Sequence, residues 1–222
     1  MIGFRILRRA RKVDPEVVAR FRQIPVANVS DSMYRMSAGG ARLRPMHKGG
    51  RMAGLALTVK TRPGDNLMVH KALDLAERGD VIVVDAGGDL TNALIGEIMS
   101  TYASARGIAG FVIDGAIRDI AEWAEGGMPV FAKGHTHRGP SKDGPGEVNV
   151  PIACAGLAVN PGDLVLGDAD GVIAIAAAEA DALLPKVQAQ IALEAKMRES
   201  NAKGIADHER FNALLRSKGV PI

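Results

Sequence analysis

Behind Asp14-Pro15-Glu16 the apolar residues Val17, Val18, Phe21 and Ile24 recur at helical spacing. The aspartate offers a capping carboxylate, the proline suits the first helical position, and the glutamate complements the helix dipole, so a helix starts here. A second short helix is expected from Ser30 or Asp31 through Met36, stopped by Gly39-Gly40. After a stretch rich in Gly, Pro, Arg and Lys, Ala53 to Thr61 reads as a strand. Pro63-Gly64-Asp65-Asn66 then opens a helix whose apolar face is Leu67, Met68, Ala72, Leu73 and Leu75. The β-branched run Val81-Ile82-Val83-Val84 has the continuous apolar character of a strand buried on both faces, and Phe111-Val112-Ile113 repeats it. A helix ends near Arg106-Gly107, another spans about Asp119 to Glu125, and Pro129 to Ala132 is a further strand.

This alternation argues for an α/β fold with a parallel or mixed sheet covered by helices. After Lys133 the period changes. A Gly-, Pro- and cation-rich loop from His135 to Gly146 precedes short strands at Val148-Asn149-Val150, Ala158-Val159, Leu164-Val165-Leu166 and Val172 to Ile175. Turn signals such as Asn160-Pro161-Gly162-Asp163 separate them, so a β-rich half is expected beside the α/β half. An alanine-rich helix from Ala176 to Arg198 and a short one from about Asp207 to Arg216 finish the chain. The implied organisation is an N-terminal helical arm (1–50), a core (51–176) and a C-terminal helical extension (177–222), the last packing on a neighbouring subunit.

Charge adds an asymmetry to this picture. Residues 1–51 carry 12 basic and 3 acidic side chains, against 16 and 22 in the rest. Arg5, Arg8, Arg9, Arg11 and Lys12 make a basic terminus with no acid among them. It reads as a solvated, partly frayed segment, with an acidic partner as the alternative. Nucleic acid is not the expected ligand, since aromatic residues for stacking are only 4% of the chain. One cysteine excludes a disulfide framework, and no apolar run approaches the roughly 20 residues of a membrane span, so no membrane partner and a cytoplasmic location are expected.

Nucleotide-binding glycine motifs are absent. Cys154, in apolar surroundings, reads as an inert small hydrophobe. His135-x-His137 is a weak pair of potential metal ligands, and Asp168-x-Asp170-Gly171 is better explained as a turn than as part of a calcium loop. More informative is Asp114-Gly115-Ala116-Ile117-Arg118-Asp119, because ligands of open α/β sheets bind beyond the carboxyl ends of strands. There Arg118 and Asp119 either face a crevice together, or Asp119 caps the next helix and Arg118 is solvated. The helix after Asp85 has two alternative starts. Asn92 can cap it, leaving Gly96 inside, or it begins at Gly96-Glu97 and offers free amides to an anion.

In order and spacing, Pro63-Gly64-Asp65-Asn66, Gly96-Glu97-Ile98-Met99, Gly115-x-x-Arg118-Asp119, Gly146-Glu147-Val148-Asn149-Val150-Pro151, Asn160-Pro161-Gly162-Asp163 and Asp168-x-Asp170-Gly171-Val172 resemble one family. It holds the RraA-like regulators of ribonuclease activity and the metal-dependent 4-hydroxy-4-methyl-2-oxoglutarate aldolases, and the resemblance covers about residues 50 to 175. It implies a compact RraA-like β/β/α fold assembled as a homotrimer or hexamer. It further implies a divalent metal, magnesium or manganese, on Asp119, with Arg118 on the pyruvyl part of a small 2-keto acid. The substrate carboxylate would lie on the backbone of Gly96, Glu97, Ile98 and Met99. Glu97 stands where many members have Asp and would orient water. Glu194 or Glu199 of a neighbouring subunit would add an outer acid.

The implied chemistry is cleavage of a 4-hydroxy-2-oxo dicarboxylate to a pyruvate enolate whose charge is met by metal and Arg118. Oxaloacetate decarboxylation passes through the same enolate. The family offers no obvious side chain to deprotonate the C4 hydroxyl, which leaves metal-linked water. The basic loop from His135 to Lys142 could meet a second acid group. The competing expectation is a non-catalytic regulator that binds a ribonuclease or another protein through the basic arm or the trimer face. A methyltransferase, a label also used in this family, would need a Gly-rich cofactor loop that the chain lacks.

Overall fold

The computed structural model describes residues 1–9, 12–37, 39–205 and 207–222. In chain order the elements are α1 (Pro15–Arg22), α2 (Val26–Ser32), β1 (Arg44–Pro45), β2 (Met52–Thr61), α3 (Leu67–Leu75), β3 (Asp80–Asp85), α4 (Glu97–Arg106), β4 (Gly110–Ile117), α5 (Ile120–Gly126), β5 (Val130–His135), β6 (Gly146–Val148), β7 (Ile152–Cys154), β8 (Leu157–Val159), β9 (Leu164–Asp168), β10 (Gly171–Ile175), α6 (Ala180–Ala202) and α7 (His208–Ser217). One mixed sheet runs in the order β1-β5-β4-β3-β2-β9-β10. Strands β2 to β5 are parallel, and β1, β9 and β10 are antiparallel to their neighbours. The β-branched runs of β3 and β4 lie at its centre, where both faces are covered.

The β-rich half is therefore not a separate layer beside the α/β half. β2 is ten residues long and joins the two, because its first half pairs with β9 and its last three residues pair with β6. Among the described residues only the β7–β8 hairpin stands apart as a two-stranded sheet. One apolar cluster lies between the sheet and α3, α4 and α5. A second lies between the opposite face and the hairpin. A third binds α1, α2 and the first turns of α6 to β9 and β10.

The predicted start of α1 is present, with Asp14 accepting from Glu16 N–H at 2.7 Å and Phe21 fully buried. The second helix begins earlier than expected, at Val26, and ends at Ser32 before Tyr34 and Arg35 turn left-handed. Its cap comes from a distant residue: Asp168 Oδ2 accepts from Val26 N–H at 2.8 Å. Asp168 Oδ1 takes the Asp170 amide at 3.0 Å, so Asp168-x-Asp170 is a capped turn. On α6 the residues Ala180, Leu183, Leu184 and Val187 are buried, worth roughly 1.5–3 kcal/mol for each of the larger ones. The outer turns and α7 expose Leu193, Met197, Phe211 and Leu214.

The basic terminus is not frayed. Gly146 and Val148 donate backbone hydrogen bonds to Gly3 and Arg5, and Leu7 donates to Val148, so the terminus lies along β6 as an added edge. Arg5 forks onto Glu147 with two contacts of 2.7 Å. Arg9 meets Asp80 at 2.5 Å with both side chains buried, and Lys12 meets Glu77 at 2.7 Å. Three of the 12 basic side chains of residues 1–51, Arg5, Arg9 and Lys12, are thus paired with acids of the body among the described residues. Arg8 stays exposed, and Arg11 lies outside the described residues. Among the described residues no helix is long and apolar enough to cross a membrane.

Candidate active site

At the end of β4 the chain leaves the sheet through Arg118 and Asp119. Arg118 N–H donates to Ile95 O at 3.0 Å, which stitches this turn to the loop before α4. Asp119 adopts a left-handed backbone, φ 61° and ψ 50°, a conformation that costs a non-glycine residue roughly 1 kcal/mol or more and is tolerated best by Asp and Asn. Trp123 holds the turn in place. Its indole N–H donates to Arg118 O at 2.9 Å, its backbone N–H donates to Asp119 O, and its ring packs edge-on against Phe111.

This backbone decides between the two expectations for Asp119. Its side chain makes no cap bond to α5. It reaches across to α4 instead, where Oδ2 accepts from Glu97 N–H at 2.9 Å. Arg118 Nε lies 3.5 Å from the same oxygen. Among the described residues Oδ1 accepts nothing, and the carboxylate is about one-third exposed at 35%.

The later helix start is the one adopted. α4 begins at Glu97 with Gly96 in the N-cap position. Gly96 is extended, so its conformation does not demand glycine; its surroundings do. A Cβ there would run into Asp119 Oδ2 and lie 2.9 Å from Arg118 Cγ. At the helix start the Glu97 amide goes to Asp119 and the Met99 amide to Gly96 O at 3.1 Å. The amides of Gly96 and Ile98 have no acceptor among the described residues, and the helix dipole favours an anion there.

Arg118 divides two depressions. The inner one, about 180 Å³, is lined by the Gly96 turn together with Asn66, His70, Pro140 and Lys142. Asn66 is buried and donates to Leu94 O at 2.8 Å, and its Oδ1 has no donor among the described residues. Burial, aided by the charge of Lys142, lowers the pKa of His70. Lys142 is positioned through Asp65, fully buried, which gathers Leu67, Asp143 and Gly144 amides and the Ser141 hydroxyl. Burial alone would raise the Asp65 pKa, but these donors outweigh it and hold it at about 2. The outer depression, about 310 Å³, contains Asp119, His135 and His137. A larger hollow beside Arg5 and Glu147 has those two charges already paired to each other.

The structure thus brings together Gly96, Glu97, Ile98, Met99, Arg118 and Asp119. The Glu97 side chain is exposed, Ile98 is exposed at the rim, and the Met99 side chain packs inward on Asn66. Neither Glu194 nor Glu199 lines these depressions within the single chain. Glu194 accepts from Gln190 and Asn28 and pairs with Arg198, and these contacts lower its pKa; Glu199 pairs with Lys203 on the outer part of α6. Cys154 is buried at the end of β7 in the hairpin, and burial, followed by the charges of Asp114 and Asp85, raises its thiol pKa well above the usual range, as suits an inert residue. Trp123 was not singled out in the sequence, and Asn66 was read only as part of a helix-opening turn and a family motif, with no role at the site. A tryptophan four residues after a strand-end Asp was the available signal for the first, and none marks the orphaned Asn66 oxygen.

No group of three or more His, Cys, Asp or Glu side chains converges on a metal position among the described residues. A hard cation that keeps most of its water needs only one or two carboxylates, and Asp119 Oδ1 fits that demand.

The profile of the RraA-like family, described as Aldolase/RraA, matches residues 26–174. A protein of Halalkalibacterium halodurans named "Putative 4-hydroxy-4-methyl-2-oxoglutarate aldolase" is 39% identical over 193 residues, covering 87% of this chain and 90% of that protein. The Thermus thermophilus 4-hydroxy-4-methyl-2-oxoglutarate aldolase is 38% identical over 123 residues, covering 55% and 74%. Streptomyces coelicolor RraAS2, whose crystal structure is described as an unusual member of the RNase ES inhibitor RraA family, superposes with a TM-score of 0.77 at 26% identity, covering 84% and 98%. With the turn from Gly96 to Met99 and the Arg118-Asp119 pair set side by side in the matched segment, this chain belongs to the RraA-like aldolase/RraA family.

Proposed function

We propose that this chain is a divalent-metal-dependent carbon–carbon lyase, cleaving a 4-hydroxy-2-oxo dicarboxylate to pyruvate and decarboxylating oxaloacetate as a second activity. The observation that carries this reading is the Asp119 carboxylate, turned away from its own helix and left with one oxygen free beside Arg118 and unused amides. The names of the aldolase relatives support it.

The free amides of Gly96 and Ile98 bind the C1 carboxylate of a 2-keto acid, aided by the positive end of α4. Arg118 faces the C2 oxygen and stabilises the negative charge that develops there as the bond from C3 breaks. Asp119 Oδ1 would hold Mg²⁺ or Mn²⁺, which when bound supplies Lewis-acid polarisation of the keto group. Assembly into trimers or hexamers would bring Glu194 or Glu199 of a neighbour to the rim, and Glu199, exposed on outer α6, is the freer of the two.

The test is pyruvate release from 4-hydroxy-4-methyl-2-oxoglutarate and from oxaloacetate with Mg²⁺ or Mn²⁺, lost on chelation and in Asp119→Ala. Absence of pyruvate from both substrates rejects the reading.

The similarity to RraAS2 favours a second reading, a non-catalytic regulator binding a ribonuclease. Arg5, Arg9 and Lys12 are engaged with the body, which leaves Arg8 as the free cation of the terminus among the described residues. Ribonuclease capture that is lost in Arg8→Glu and intact in Asp119→Ala would favour the regulator.

A further inference from the structure

The outer depression contains two imidazoles that the reaction outlined above leaves unused. It is lined by Arg118, Asp119, Ile120, His135, Thr136 and His137. Parallel pairing of β4 with β5 sets His135 opposite Ile117, and Thr136 N–H donates to Ile117 O at 3.0 Å. Residues 135–137 therefore run alongside 117–119, and the two histidines share a hollow with the Arg-Asp pair. Both are exposed, and neither ring has a hydrogen-bond partner among the described residues, whereas His47 is fixed on Val130.

Cleavage of a 4-hydroxy-2-oxo acid needs a group that takes the C4 hydroxyl proton, and decarboxylation does not. The other charged side chains of this hollow are Arg118, a permanent cation, and Asp119, the expected metal ligand. Imidazole is the side chain that best accepts and returns a proton near neutral pH. We infer that the His135-x-His137 pair supplies the base for the carbon–carbon cleavage, an inference that rests on the lyase reading. An imidazole nitrogen takes the C4 hydroxyl proton, and the freed O–H electron pair closes the carbonyl of the departing 2-oxo acid. The C3–C4 bond breaks, and its electrons pass into the pyruvate enolate. The imidazolium then returns the proton to C3, giving pyruvate with no further reactant consumed.

The experiment compares the full-length wild type with His135→Ala, His137→Ala and the double variant, using Mg²⁺ and both substrates. In the double variant, cleavage of 4-hydroxy-4-methyl-2-oxoglutarate should fall about 10²- to 10⁴-fold, with oxaloacetate decarboxylation falling far less. Added imidazole should restore part of the cleavage, which a merely structural role would not allow. Independently of turnover, the ring-proton resonances of His135 or His137 should shift when pyruvate is added. Equal losses on both substrates, undiminished cleavage, or unmoved histidine resonances would overturn the inference and leave the lyase reading intact. A wild type yielding pyruvate from neither substrate overturns that reading and this inference with it.

Discussion

Asp65 and Asp119 both stand just before a helix and both accept a backbone amide near a helix start. Asp65 takes Leu67, Asp143 and Gly144 amides, the Ser141 hydroxyl and Arg62, and it is fully buried. Asp119 takes a single amide, from a different helix than its own, with one guanidinium at 3.5 Å and one oxygen unengaged. The first carboxylate is saturated and fastens the loop from Ser141 to Gly144 onto α3. The second keeps capacity for a ligand. What separates them is the number of donors within reach, and that number distinguishes a saturated structural acid from the one proposed here to take a ligand.

Removing the unsaturated acid should have the largest effect. In Asp119→Ala, pyruvate release should drop about 10³-fold or more, while the thermal midpoint changes little. Next in size is Arg9→Ala, which leaves Asp80 buried without its cation and should cost on the order of 3 kcal/mol in urea unfolding. Gly96→Ala keeps the fold and pushes on Asp119 and Arg118, so turnover should fall by about 10²-fold at nearly unchanged stability.

Asp65→Asn should lose on the order of 2 kcal/mol of stability. Because the folded Asp65 carboxyl is held at about 2, against an ordinary value of 3.8, its contribution is complete above roughly pH 4 and lost as pH falls through about 2. Acid titration of stability should therefore be steeper in the wild type than in Asp65→Asn over that interval. Glu147, also held at about 2 by the Arg5 side chain and the Gly3 amide, loosens the terminus in the same window. Arg8→Glu should fall within about 0.5 kcal/mol of wild type, since Arg8 is exposed. A large effect of Arg8→Glu, or none of Arg9→Ala, would erase the distinction between engaged and free charges at the terminus.

Much of the fold was legible from local signals. Asp14-Pro15 started α1 where capping chemistry requires, and the β-branched runs of β3 and β4 became the sheet's centre. The start of α2 was misplaced because its cap, Asp168, is 142 residues away, beyond any window of local pattern. The basic terminus was misjudged for the same reason, since its acids, Glu147, Asp80 and Glu77, are distant in the chain. Arg118, Asp119 and the Gly96-Glu97 turn were marked by their places after strands and at a helix start, with the alternatives open, and the resemblance supplied their expected roles. The glycine that suggested the α4 start proved to serve close approach rather than backbone freedom.

The chain's own pattern determined which segments are helix or strand and which are buried, because periodicity and capping act within a few residues. Only the tertiary structure decided where the Asp119 carboxylate points. A left-handed turn locked by Trp123 and a missing Cβ at Gly96 together aim it at an amide 22 residues earlier, and both depend on strands that meet only after folding. Electrostatic and hydrogen-bond partners are set by distance in space, and distance along the chain does not report it.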